Sequence, residues 1–267
     1  MNKVEQSISK RFLLKLSGEA LNGTRDKGYD DEEVTSICKD IASVLHTESA
    51  DGAKTQVAIV IGGGNYWRGR TSGDMDRVKA DQIGMLATVM NCLYVSDKLR
   101  LQGIKTRIMT PFACGGMTEL FNKDRALEAL EDGQVVFFAG GTGHPYFSTD
   151  MATALMAIEI EADAILAGKS IDGVYDSDPN KNPDAKKYDY MEMQDIVDHK
   201  LGVIDLAAAV LCMENHMPMY MFGLEGADCI IQAVKNYTML TQNGVVTAQV
   251  VQESQNNLIK FGTYIHA

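Results

Sequence analysis

No two of the five cysteines in this 267-residue chain form a C-x-x-C pair. Cys38, Cys92, Cys114, Cys212 and Cys229 are well separated and odd in number, which suits neither a disulfide framework nor a zinc site. They read as reduced core thiols of a cytoplasmic protein. Basic charge is short as well: 25 Lys and Arg against 36 Asp and Glu leave a formal charge of −11. That balance argues against nucleic-acid or membrane-surface partners, which need a basic face. No apolar run approaches the roughly 18 residues of a membrane span, and "MNKVEQSISKR" has no signal-peptide centre. Neither G-x-x-x-x-G-K-[ST] nor G-x-G-x-x-G occurs, so the P-loop and the usual dinucleotide fingerprint are missing. Without repeats, low-complexity blocks or a Pro/Ser-rich linker, residues 1–267 are expected to form one domain.

The chain does contain short apolar runs alternating with helical patterns. Strands are predicted at 11–16, 55–61, 105–110, 134–139, 162–167 and 217–222. Helices are predicted at 31–49, 79–101, 122–131, 149–160, 205–215 and 226–235. Such alternation implies βαβ units and an α/β fold with a mostly parallel sheet covered on both faces. Ligands of these sheets bind beyond the carboxyl ends of the strands. "LKLSGEALNG", "IGGGNYWRG" and "AGGTG" each follow a predicted strand, so three glycine-bearing turns fall on one edge. Local cations gather despite the acidic total: Lys10, Arg11 and Lys15 in one place, Arg68, Arg70, Arg77 and Lys79 in another.

In "KLSGEA", Lys15 ends a strand and Ser17 and Gly18 form the turn. The lysine can reach a transferring phosphoryl group while Ser17 and the Gly18 amide donate to it; it can equally be a surface residue capping an edge strand. Gly62, Gly63 and Gly64 cost roughly 0.5–1 kcal/mol apiece relative to alanine. Charge-assisted phosphate bonds of roughly 1.5–3 kcal/mol each would offset this, with Arg68 as a clamp. The alternative is a tight strand-to-helix turn beside a solvated arginine. In the long helix that follows, Ile83, Leu86, Val89, Met90 and Leu93 recur at helical spacing as core or subunit interface. Asp81 is expected in its first turn, where a carboxylate suits the helix dipole, although it can also accept ribose hydroxyls.

"AGGTGHPYFSTDMATALMAIEIEADAIL" combines a glycine turn with a helix N-cap signature at Ser148–Asp150. A helix start presents free amides to an anion. Ser148 and Thr149 add hydroxyls, and Gly141 and Gly143 allow the backbone to wrap. His144 suits a base-edge or turn contact better than a general base, because a phosphate acceptor is already nucleophilic. In "GKSIDGVYDSDPNKNP", turn formers at Asp172-Gly173 and Asp178-Pro179 predict a surface hairpin. There Tyr175 can border a purine and Lys169 can sit over phosphates.

Taken together, "LLKLSGEAL", "VIGGGNYWRG", "DQIGMLATVMN", "GTGHPYFSTD", "IEIEADAIL", "DGVYDSDP" and "DLAAAVL" resemble the bacterial-type uridylate (UMP) kinases of the amino acid kinase family. The likeness runs from about residue 10 to 235, and the "GTG-x-P-[FY]-F-[ST]-T-D" element is its most specific part. It implies a three-layer αβα sandwich, with 10–165 mainly binding UMP and 166–267 mainly binding ATP. The implied reaction is transfer of the ATP γ-phosphoryl group to UMP in pyrimidine nucleotide biosynthesis, giving UDP and ADP. Mg²⁺ would be held mainly through the ATP phosphates, with no dedicated metal residues.

Lys15, Arg68, Asp150 and Lys169 would be the catalytic set, with Asp150 orienting the lysines. Lys15, Ser17, Gly18, Gly64, Arg68, Lys169, Ser170, Tyr175 and Asp178 would face ATP. Gly63, Asp81, Thr142, Gly143, His144, Pro145, Tyr146, Phe147, Ser148 and Thr149 would hold UMP. Gly23, Thr24, Arg25, Asp26, Lys27 and Gly28 match a region used for activation by GTP. UTP inhibition and a homohexamer are also implied. The chain departs from the family at His144, where asparagine is usual, and at Lys169, where threonine or asparagine is common. It also carries an extra segment at 236–258, expected as a hairpin, before a short closing strand in "FGTYI". Two other readings predict different behaviour. A related kinase would phosphorylate a carboxylate or carbamate and not UMP; a nucleotide or oxyanion sensor of the same fold would bind without turnover.

Overall fold

Glycine turns cut the apolar runs into strands that pair side by side. The computed structural model describes residues 10–46, 54–68, 73–199, 201–242, 244, 246–254 and 261–267. Arg70, residues 47–49 of the first predicted helix and part of 236–258 lie outside these. In chain order the strands are β1 (Arg11–Leu16), β2 (Gln56–Ile61), β3 (Thr106–Thr110), β4 (Glu119–Leu120), β5 (Val135–Phe138) and β6 (Ala164–Lys169). They continue with β7 (Val174–Tyr175), β8 (Lys187–Tyr188), β9 (Tyr190–Glu192), β10 (Met219–Gly223) and β11 (Thr263–His266). The helices are α1 (Asp31–Leu45), α2 (Arg77–Arg100), α3 (Lys123–Glu131), α4 (Thr149–Glu159), α5 (Met193–His199), α6 (Leu206–Glu214), α7 (Cys229–Thr241) and α8 (Ala248–Ser254). A 3₁₀ turn, Gly18–Leu21, follows β1.

The main sheet runs β4-β3-β5-β2-β1-β6-β10-β11-β9. Strands β4 through β10 in that order are parallel; β11 opposes β10, and β9 lies parallel to β11. Side chains alternate across the pleat. Phe12, Leu14 and Leu16 of β1 pack with Ile37 and Ile41 of α1, Val89 and Val95 of α2, and Val234 of α7. Leu13 faces the other way, toward Leu130 of α3, Ala154 and Ala157 of α4, and Ala208 and Ala209 of α6. The fold is thus the expected αβα sandwich. β1 lies between β2 and β6, where the chain reverses its direction of travel across the sheet, so the crevice at its carboxyl end is a topological switch point.

All six predicted strands form, β1 with its predicted ends and the others with ends moved by one or two residues. β10 begins at Met219 because Pro218 has no amide to give a ladder. Elements of two to seven residues (β4, β7, β8, β9, α5 and α8) are too short to show periodicity. The 236–258 segment corrects the hairpin expectation. α7 continues to Thr241 because Tyr237 and Leu240 extend the buried row of Ile230, Ala233 and Val234, and α8 follows. In α2 the stripe expected as core or subunit interface divides between the two faces. Val89 is buried, but Ile83, Leu86 and Met90 are 37%, 53% and 45% exposed. The buried face of α2 mixes apolar Met85, Val89, Val95 and Leu99 with small and polar Ala80, Ala87, Thr88, Asn91 and Ser96. Among the described residues no helix is long and apolar enough to cross a membrane.

One long-range cap ties α1 to α7. Asp228 has φ 63 and makes no side-chain cap. The buried Asp40 supplies it, accepting the amides of Asp228 at 3.1 Å and Ile230 at 3.2 Å. Asp40→Ala strands both donors and is expected to lower unfolding free energy by about 1–3 kcal/mol, read from urea denaturation. A change below about 0.5 kcal/mol would mark the cap as dispensable.

Candidate active site

β1 ends in Lys15, which is only 8% exposed, and β6 ends in Lys169 two places beyond the register partner of Lys15. Between them the first turn of α4 offers Asp150. Its Oδ1 lies 2.8 Å from Lys15 Nζ and its Oδ2 3.7 Å from Lys169 Nζ. The Asp205 amide donates to Oδ2 at 3.3 Å. Burial raises the Asp150 carboxyl, but the charges of Lys15 and Lys169 and these hydrogen bonds more than reverse that and hold it at about 2. Lys169 is pushed down to about 8 by burial and by the like charge of Lys15, with Asp150 pulling the other way. At neutral pH the row is a carboxylate between two cations. Such an Asp cannot serve as a base, so what it can do is hold the lysines.

Chambers open on both sides of this row. One of about 290 Å³ is lined by Lys15, Ser17, Gly18, Gly62, Gly63, Gly64, Trp67, Arg68, Asp81, Gly141, Phe147 and Thr149, among others. Another, of about 350 Å³, includes Ser17, Glu19, Gly23, Lys169, Ser170, Leu224 and Gly226. Ser17 and Glu19 line both. A wider cavity of about 660 Å³ is lined by the whole row, Lys15, Asp150 and Lys169, together with Arg77, Asp81 and Ser148. The three predicted glycine turns therefore do meet at one edge.

Close backbone packing accounts for much of the glycine. A Cβ on Gly18 would lie 2.3 Å from the Gly62 carbonyl oxygen, and one on Gly63 would lie 2.9 Å from that of Gly84 in α2. Their requirement is for chain against chain as well as for any ligand. Arg68 pairs with Glu19 at the chamber wall. Asp81 lies in the second turn of α2, whose N-cap is Asp76, so the dipole role does not apply. Its carboxylate instead joins Arg77 and the Tyr146 amide.

The other predicted residues distribute unevenly. Ser148 caps α4 by accepting from the Met151 amide at 3.2 Å, as its sequence signature implied. Thr142 and His144 bond to each other, Thr142 Oγ1 accepting the His144 amide at 3.3 Å. With Gly143 and Pro145 they stand beside the 290 Å³ chamber rather than in its lining. Tyr175 donates to Asp172 at 2.6 Å and Asp178 pairs with Lys181 at 3.1 Å, both in the β7–β8 hairpin and outside the chamber linings. In the 23–28 stretch, Arg25 pairs with Asp30 at 3.7 Å. Thr24, Asp26 and Lys27 are exposed.

Sequence reading missed the scaffold of the loops. Asn91, fully buried in α2, donates to the Gly62 carbonyl at 2.7 Å and exchanges bonds with Asn65 at 2.7 and 3.0 Å. Asn65 also donates to the Gly28 carbonyl at 3.0 Å. Thr88 Oγ1 accepts the Gly140 amide at 2.8 Å. A polar residue on the buried face of an otherwise apolar helix was the available signal, because such a residue must find partners.

The amino acid kinase family model matches residues 10–223. The structure superposes on a UMP kinase from Ureaplasma parvum with a TM-score of 0.82 and 30% identity, covering 98% of this chain and all of that one. A UMP kinase from Bacillus anthracis gives 0.80 at 31% identity, over 96% of each chain. A uridylate kinase from Archaeoglobus fulgidus shares the fold, with 0.63 at 24% identity over 95% of this chain and 99% of that one. With its family match over most of its length and this architecture around a buried Lys–Asp–Lys row, the chain belongs to the amino acid kinase family.

Proposed function

We propose that this protein is a UMP kinase, moving the γ-phosphoryl group of ATP to UMP to yield UDP and ADP. The observation that carries the reading is two chambers that share Ser17 and Glu19, one lined by Lys15 and the other by Lys169, with Asp150 joining the two lysines. A donor and an acceptor held end to end need that geometry, with cations where charge gathers on the transferring group. The Ureaplasma and Bacillus relatives, UMP kinases at 30% and 31% identity, support UMP as acceptor. So does "GTGHPYFSTD".

In this reading Lys15, Ser17, Gly18, Gly64 and Arg68 face the ATP phosphates. Gly63, Asp81 and the stretch from Thr142 to Thr149 hold UMP. Lys169, Ser170, Tyr175 and Asp178 form the ATP side. Residues 10–165 serve mainly the acceptor and 166–267 mainly the donor. Among the described residues no cluster of three or more His, Cys, Asp or Glu side chains is arranged for a metal. Mg²⁺ would be carried mainly by the ATP phosphates and would supply neutralisation of their charge.

GTP activation through residues 23–28 and UTP inhibition belong to the same proposal. The bond between Asn65 and the Gly28 carbonyl supports communication between that stretch and the glycine loop. The exposed row of Ile83, Leu86 and Met90 supports homo-oligomerisation, and the hexamer is what the family resemblance implies. The unpaired cysteines and the nucleotide substrates of the proposed reaction support a cytoplasmic setting in pyrimidine nucleotide synthesis.

ADP release with ATP-Mg²⁺ should be seen with UMP in a panel that also holds CMP, dUMP, AMP, glutamate and aspartate. Turnover confined to an amino acid would overturn the substrate. Lys15→Ala should lower kcat about a hundredfold or more and leave UMP binding largely intact. Because the Lys169 ammonium loses its proton near pH 8, kcat/KM for ATP should fall on the alkaline side of about 8. Lys169→Arg, charged throughout, should remove that limb; an unchanged profile would assign the limb to another group. Leu86→Glu should shift light-scattering mass toward smaller assemblies, and an unaltered mass would place the subunit contact elsewhere.

A further inference from the structure

Arg77 opens α2 one turn before Asp81, and both line the 660 Å³ cavity together with the lysine row. Asp81 also lines the 290 Å³ chamber, together with Gly63, Phe147 and Thr149 of the proposed acceptor set. Arg77 Nε donates to Asp81 Oδ1 at 2.9 Å and to Oδ2 at 2.8 Å. The Tyr146 amide donates to the same Oδ2 at 2.8 Å. Tyr146 has φ 73, a left-handed conformation that a bulky L residue adopts only when its surroundings enforce it. The Arg77 guanidinium carbon stands 5.3 Å from the centre of its ring. One arginine therefore restrains this segment twice, over the Tyr146 ring and through the carboxylate that receives the Tyr146 amide.

Acceptor capacity sharpens the point. A carboxylate offers about four lone-pair positions, two on each oxygen. Among the described residues, Oδ2 receives two donors and Oδ1 receives one. One position remains on Oδ1 for a hydroxyl entering the chamber. Its direction depends on Arg77, which fixes the rotation of the carboxylate. The Asp81 side chain is 14% exposed against 38% for Arg77, so the arginine is the outer brace and the aspartate the inner contact.

We propose that Arg77 is a positioning residue of the acceptor site. It aims the free lone pair of Asp81 at a ribose hydroxyl and clamps the segment around Tyr146, so that preference for a ribonucleotide over its deoxy analogue depends on Arg77. The inference rests on the UMP kinase reading above. Arg77 acts through Asp81 and Tyr146, and its removal should therefore affect acceptor affinity and discrimination far more than the chemical step.

The test compares wild type, Arg77→Ala and Arg77→Lys in three measurements. Titration of fluorescence with UMP and dUMP uses Trp67, the only tryptophan of the chain and a wall of the 290 Å³ chamber. Steady-state kinetics are taken with both acceptors. Chymotrypsin cleavage after the exposed Tyr146 and Phe147 reports the clamp without any ligand. For Arg77→Ala the expected results are UMP binding weakened about tenfold, a kcat/KM ratio of UMP to dUMP falling toward one, and kcat within about threefold of wild type. Cleavage at the two aromatics should be about fivefold faster or more. Lysine keeps the charge but not the planar donor, so Arg77→Lys should recover cleavage resistance more fully than discrimination.

An unchanged UMP to dUMP ratio, or cleavage equal to wild type in an enzyme that turns over UMP normally, overturns the proposal. A fall confined to kcat does so too. Absence of both UMP quenching and UMP turnover in wild type instead overturns the kinase reading, and the acceptor role falls with it. Equal melting temperatures for the three proteins separate these outcomes from misfolding.

Discussion

A carboxylate shared by two lysines under the loops is the constraint around which the rest is arranged. Lys15 comes from β1, Lys169 from β6 and Asp150 from the first turn of α4. Two ammonium groups this close and this buried repel each other and lose hydration, and a lone buried cation is costlier still. Asp150 offsets both, and its place at a helix start lets the α4 amides share its charge. The arrangement exists only if β1 and β6 are neighbours in register, which they are, Lys15 lying opposite Ala167 and Leu16 opposite Gly168. The alternating core of β1, with Leu13 on one face and Phe12, Leu14 and Leu16 on the other, thereby sets where the charges stand. Packing and chemistry are one constraint here.

α2 orders the other half of the site. It gives up core area to do so, since its inward face carries Thr88 and Asn91 where larger apolar side chains would bury more surface. What it gains is fixed loop geometry. Asn91 holds the Gly62 carbonyl, Thr88 holds the Gly140 amide, and Gly63 lies against Gly84 with no room for a side chain. Two loops from different strands are thus referred to a single rigid helix, which is how backbone amides acquire a defined direction before any ligand arrives. The apolar residues displaced from the core, Ile83, Leu86 and Met90, appear on the outer face.

Much of this was legible in the chain because it is local. Strand β1, the Ser148 cap and the glycine turns each declare themselves within a few residues, and parallel topology follows from their alternation with helices. Lys15 and Asp150 were placed in the same site by resemblance, and their 2.8 Å contact follows from the meeting of β1 with α4. What stayed hidden depends on long-range partners. Nothing near Asp40 announces that it caps a helix at Asp228. Periodicity alone left Leu86 and Met90 as core or subunit interface, since the spacing of apolar residues along a helix cannot say which of two faces the sheet will take. The polar part of the inward face of α2 went unread because glycine-loop packing places Thr88 and Asn91 there, and such residues look like a solvent face. In the tail, Tyr237 and Leu240 carry the row of α7 past the point where polar neighbours suggested an end.

Four cations around the chambers show how an acidic chain makes a place for anions. Each has a carboxylate near it: Asp150 for Lys15 and Lys169, Glu19 for Arg68, and Asp81 for Arg77. Burial separates these pairs into two kinds. Arg68 and Glu19 have side chains 62% and 41% exposed, and an ion pair so accessible to water contributes about 0–1 kcal/mol. An incoming phosphate, more highly charged than one carboxylate, can replace Glu19 at little cost. Lys15 and Asp150, at 10% and 19%, cannot separate so cheaply, because each would be left charged and poorly hydrated. The exposed pair is the exchangeable one and the buried row the fixed one. In the proposed kinase reading a substrate anion would gain Arg68 by competition but would meet Lys15 and Lys169 already held, so the permanent counter-ion would preserve alignment where the chemistry occurs.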